Sequence, residues 1–129
     1  MKNNKLKTSI DNFQKILTEQ IGLELFHLRK EKGLSGKDLA KKLKISQQQI
    51  SRYERGICSI NCGMLFSILF YLDTNPSAFF ESITLKINEE HPHANSFIHN
   101  NESRFDEQDN CHYIFNRQSE IILNSLYSK

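Results

Sequence analysis

Apolar residues recur at every third or fourth position from Ser9 onward: Ile10, Phe13, Leu17, Ile21, Leu25 and Leu28. That spacing predicts a long amphipathic helix ending before Gly33, while the polar, lysine-rich residues 1–8 read as a loose arm. Gly22 lowers the helical propensity and leaves room for a break near Gln20. A second stripe, Leu39, Ala40 and Leu43, predicts a short helix over Leu34–Leu43, with Ser35 as its N-cap and Asp38 bonding back to the helix start. Ile50 and Tyr53 then share one face of a third helix. Ser46 caps it, Gln49 completes a Ser-x-x-Gln capping box, and Gly56 supplies a left-handed stop. After Ile57 and Ile60, Asn61 caps a segment from Met64 to Leu72 that is apolar on nearly every side, as expected of a central helix packed against all the others. Asn75-Pro76 starts a fifth helix, with Phe79, Phe80 and Ile83 as its buried side.

Beyond Thr84 the pattern weakens. Leu85 and Ile87 alternate with Lys86 and Asn88, which predicts a short strand or extended run. The polar run from His91 to Asp109 reads as linker. Ile121, Ile122, Leu126 and Tyr127 suit a final helix within Tyr113–Tyr127, packing beside the N-terminal extension within or between subunits. The expected fold is all-α: an N-terminal arm and helical extension (1–19), a compact five-helix body (20–83) and an acidic C-terminal segment (84–129).

Length and composition narrow the classes. The chain has 129 residues, enough for one core with appendages. Its longest apolar stretch, Met64–Leu72, is far shorter than a membrane span, and the N-terminal lysines precede no apolar secretion signal. Cys58, Cys62 and Cys111 are odd in number and lack a Cys-x-x-Cys spacing, which points to a reduced protein of the cytoplasm. The net charge of +2 is unevenly spread: residues 1–83 carry +5 and residues 84–129 carry −3. The first part suits a polyanion and the second does not.

The candidate chemistry lies in the third helix. Opposite Ile50 and Tyr53, the positions Gln48, Ser51, Arg52 and Arg55 form a face of amide and guanidinium groups without a carboxylate. Glutamine pairs bidentately with adenine N6/N7 and arginine with guanine O6/N7, and a helix of this size fits the major groove. Only Lys44 and Ile45 separate the second helix from the Ser46 cap, a helix-turn-helix spacing. Lys37, Lys41, Lys42, Lys44 and Arg55 are candidates for DNA phosphate, with backbone N–H groups at the helix starts, Ser35 and Gly36 included.

Over residues 21–83 the sequence resembles the Cro/CI-type (XRE) helix-turn-helix family. The resemblance rests on Ile21-Gly22, Arg29, Gly33-Leu34-Ser35, Leu39-Ala40, Ser46-Gln47-Gln48 and Ser51-Arg52-Tyr53-Glu54-Arg55-Gly56 in one frame. The run from Ser46 to Gly56 also resembles fimbrial-operon regulators of enteric bacteria, a subgroup linked to adhesion and motility. The resemblance implies base reading by Gln47, Gln48 and Arg52, with Gln49 and Ser51 as further candidates, although the capping role of Gln49 competes with such contact. It also implies a partly buried ion pair between Arg29 and Glu54. Many family members carry glutamine where this chain has Gly36. That glutamine commonly bridges phosphate to the first recognition glutamine, so Gln47 is expected to be less firmly held.

The expected function is a transcriptional regulator in the cytoplasm, nucleoid-associated, bound to double-stranded DNA as a homodimer on a palindromic operator. Phe66, Phe70 and Tyr71 exceed what a small core needs and suit dimerisation. The rival reading is an antitoxin of a toxin–antitoxin pair, neutralising its partner through residues 84–129. Metal sensing through His91, His93, His99, Cys111 and His112 has no standard zinc spacing behind it. No cofactor, metal site or enzymatic activity is expected, because no nucleophile motif, phosphate loop or carboxylate pair stands out.

Overall fold

The computed structural model describes residues 2–99. Its first compact unit, through Asn95, holds five helices: α1 (Lys2–Glu31), α2 (Gly36–Leu43), α3 (Gln47–Glu54), α4 (Cys62–Tyr71) and α5 (Pro76–Glu90). A 3-10 turn over Pro92–Asn95 closes the unit. The second unit begins with α6 (Ser96–His99). No strand occurs among the described residues.

Four of the helix starts, that of α3 among them, are fixed by side chains that satisfy orphan N–H groups. The Ser35 Oγ accepts from the Asp38 N–H, and the Asn61 Oδ1 accepts from the Met64 N–H at 2.8 Å. The Asn75 Oδ1 takes the N–H groups of Ser77 and Ala78, with Pro76 at the first helical position. The core gathers Leu25, Leu39, Ile50, Leu65, Ile68, Leu69, Leu72, Phe79, Ile83 and Ile87, each 5% exposed or less. Within it α1 packs on α3 and α5, and α2 packs on α3 and α4.

Several expectations are corrected. Residues 2–8 are helical rather than a loose arm, and α1 runs for 30 residues without a break at Gln20. No proline or glycine interrupts its first twenty residues, and extending an established helix is far easier than nucleating one. The alternation at Leu85–Ile87 is not a strand, because α5 continues across position 84 to Glu90. Phe79, Ile83 and Ile87 follow one another at four-residue spacing, all buried, while Leu85 points outward. Side chains from α1 hold this last stretch. Gln20 donates to Glu90 Oε2 at 2.7 Å, and Glu24 accepts from Ser82 Oγ and from Lys86 Nζ.

Phe80 is 40% exposed rather than buried, since adjacent residues lie about 100° apart around a helix and Phe79 takes the inner position. α4 is not the central helix: it packs chiefly on α2, burying Leu65, Ile68 and Leu69 but leaving Phe66, Phe70 and Tyr71 exposed. The polar run after His91 begins as helical turns rather than linker, with Ala94 buried. The helix expected within Tyr113–Tyr127 lies outside the described residues.

Candidate nucleic-acid interface

The two helices that carry the candidate chemistry are set by local bonds before any tertiary contact acts. At the start of α2, Asp38 Oδ2 accepts from both the N–H (3.0 Å) and the hydroxyl (2.5 Å) of Ser35, completing the capping box. These bonds, the hydroxyl's foremost, hold the Asp38 carboxyl below its ordinary range. The helix ends at Lys44 in the left-handed conformation (φ 57°), and Ile45 N–H reaches back to Ala40 O at 3.1 Å. That single reversal places Ser46 to cap α3, its Oγ accepting from Gln49 N–H at 3.1 Å.

The second half of the expected Ser46–Gln49 box is absent. The Gln49 side chain turns instead to donate to Cys58 Sγ at 3.4 Å, which ties α3 to the following loop and takes that amide away from the exposed face.

Two devices fix α3 on the body. The first is a bidentate pair: Arg29 Nε meets Glu54 Oε1 at 2.5 Å and Nη2 meets Oε2 at 2.9 Å, with side chains 6% and 10% exposed. Arg29 Nη1 also donates to Leu34 O at 2.7 Å, so one guanidinium joins α1, α3 and the approach to α2. Its bond to Glu54 raises the arginine pKa further, against the opposing effect of burial. In a buried pair of this kind, loss of either partner strands a charge and costs roughly 3–5 kcal/mol.

The second device is a glycine. A Cβ on Gly22 would stand 2.3 Å from Tyr53 O and 2.8 Å from Glu54 O, so α1 and the end of α3 touch backbone to backbone there. In the sequence Gly22 shows its helical cost and its place in the family pattern, but not this contact. The available signal was its survival inside an otherwise strong amphipathic helix.

With Ile50 buried, the opposite side of α3 is free. Gln47, Gln48, Arg52 and Arg55 are exposed and Ser51 is half-buried, with Arg55 Nε donating to Ser51 O at 3.2 Å. Lys37, Lys41, Lys42 and Lys44 are exposed on or just after α2. The Lys42 ammonium lies 5.7 Å above the Tyr71 ring of α4, which gives it a partner other than phosphate. The Ser35 hydroxyl is occupied by its capping box, leaving the backbone N–H groups of Gly36 and Lys37 as the donors at the start of α2. Gly36 borders Gln47: a Cβ there would stand 3.7 Å from Gln47 Cγ, an ordinary contact. Among the described residues no group of three or more His, Cys, Asp or Glu is placed to hold a metal. Cys111 and His112 lie outside those residues.

Residues 25–78, which span the end of α1 through the start of α5, match the family model described as Helix-turn-helix. Over this stretch the chain is similar to helix-turn-helix domains. An HTH-type transcriptional regulator of Rickettsia conorii is 40% identical over 63 residues, covering 49% of this chain and 50% of that protein. The chain therefore spans about half the length of the curated relatives it matches. Among solved structures, a tyrosine-to-alanine mutant of the restriction-modification controller protein C.Esp1396I superposes with a TM-score of 0.52 at 28% identity, over 58% of this chain and 96% of that one. The C.Esp1396I tetramer in complex with its natural 35 base-pair operator gives 0.51 at 28% identity, over 55% and 93%. The five-helix all-α fold is thus of the Cro/CI helix-turn-helix type.

No helix among the described residues is long and apolar enough to cross a membrane.

Proposed function

We propose that the chain is a sequence-specific DNA-binding transcriptional regulator of the cytoplasm, acting as a homodimer on a palindromic operator. The observation that carries this reading is the exposed row of Gln47, Gln48 and Arg52 on a helix whose other side is buried and clamped. Such a helix presents planar amides and a guanidinium at the spacing of base edges in a major groove. The excess of basic residues in the first part of the chain supports a polyanionic partner. That C.Esp1396I is crystallised on its operator supports duplex DNA for a chain of this fold. The resemblance of Ser46–Gly56 to fimbrial-operon regulators makes adhesion and motility genes the first targets to examine.

The test is selection of binding sites from a random duplex library with the full chain. Two half-sites about 34 Å apart, one helical turn, are expected. Gln48→Ala and Arg52→Ala each remove about 1–3 kcal/mol of discrimination at one base pair per half-site. A selection profile left unchanged by Arg52→Ala sinks the base-reader assignment.

A further inference from the structure

Beside the free face of α3 lies an open cleft of about 520 Å³, walled by Phe26 and Lys30 from α1, Gly36 from α2, Gln47 from α3 and Arg55 just after it. Arg29 and Glu54 also border it, but they neutralise each other as a pair. The charge left facing the opening comes from Lys30 and Arg55, and among the described residues neither has a carboxylate partner. The Lys30 ammonium is held 5.6 Å from the centre of the Phe26 ring, which restrains a long flexible side chain at the rim. Gly36 sends no side chain into the space, and its backbone N–H has no partner within α2. The cleft is therefore cationic, roomy and equipped with a backbone donor, and it adjoins Gln47.

A phosphate at the start of α2 is what the family resemblance implies for Gly36; we propose that Lys30, contributed by α1, is a further phosphate-binding residue in this cleft. The proposal rests on the DNA-binding reading above and adds a contact from a helix outside the helix-turn-helix pair. Seating the backbone on α1, α2 and α3 at once sets how far Gln47 reaches toward the bases, since phosphate contacts fix register while base contacts specify sequence.

The experiment compares the full-length wild type with Lys30→Gln and with Lys15→Gln, an exposed α1 lysine away from the cleft that removes the same charge. Affinity for the selected duplex and for an unrelated duplex is measured across salt concentrations, with melting curves to show all three proteins equally folded. Lys30→Gln is expected to flatten the salt dependence by about 0.9 in slope, the value of one lost phosphate contact, and to weaken both duplexes alike. Lys15→Gln is expected to change neither. Replacing single phosphates by neutral methylphosphonate then locates the contact: one position weakens the wild type but not Lys30→Gln. If Lys30→Gln behaves as Lys15→Gln does while the wild type still selects a sequence, the cleft assignment falls and the function stands. A wild type that binds no duplex overturns both. Millimolar inorganic phosphate that displaces DNA at constant ionic strength, and only when Lys30 is present, assigns the cleft to a free anion instead.

Discussion

Arg29 and Gly22 do opposite things for the same helix. Arg29 reaches across to α3 with two directed hydrogen bonds and to Leu34 O with a third, whereas Gly22 lets the backbones meet by offering nothing at all. The arginine pair was legible in the sequence because the family resemblance implies it. The glycine was not, because its penalty is local and its benefit appears only when α3 is laid against α1. Gly22→Ala therefore should not behave as a helix-stabilising change. Its added carbon meets two carbonyl oxygens, one at 2.3 Å, so overpacking of about 1–3 kcal/mol is expected to outweigh the gain in propensity. Urea denaturation reads this directly: a lower midpoint with the same slope is expected, and a higher midpoint would mean the crossing is looser than described. Lys30 escaped sequence reading for a related reason, since its setting is a cleft assembled from three helices rather than a motif.

At the scale of the element, the helix starts were the most legible feature, because a cap depends on a few neighbouring residues. Ser35, Ser46, Asn61 and Asn75 each accept from the N–H groups that follow them. Side chains with long reach were less so, and Gln49 found Cys58 rather than its own helix start. The strand expected at Leu85–Ile87 rested on two apolar points, too few to separate a period of two from the 79, 83, 87 series. The cap of α2 also has a pH signature. The folded pKa of Asp38 is depressed, so its contribution is present above the ordinary aspartate range near pH 4 and is lost as pH falls through the lowered folded value. Thermal midpoints measured from pH 7 down to pH 2 should separate wild type from Asp38→Asn at neutrality and bring them together in acid. Curves that stay parallel throughout would show that the box does not stabilise α2.

Across the molecule, the body is more apolar outside than its core requires. Phe66 and Phe70 are 49% and 75% exposed, with Tyr71, Phe80 and Leu85 also at the surface. In the homodimer proposed above, Phe66, Phe70 and Tyr71 of α4 are the proposed interface. Phe70→Glu costs an isolated subunit little, as it replaces a solvent-facing ring. Sedimentation of the wild type at twice the 15.1 kDa chain mass, falling to one chain mass in Phe70→Glu with an unchanged helical spectrum, is the expected outcome. A wild type that sediments as a single chain removes the dimer and with it the reason for a palindromic site. The contact at Gly22 carries one more implication. Soft side chains absorb small shifts between neighbouring helices, and here there are none to do so. A torque applied to the first eighteen residues of α1 would therefore pass directly to the helix that carries Gln47, Gln48 and Arg52, so whatever grips that end of the rod also holds the steering of α3.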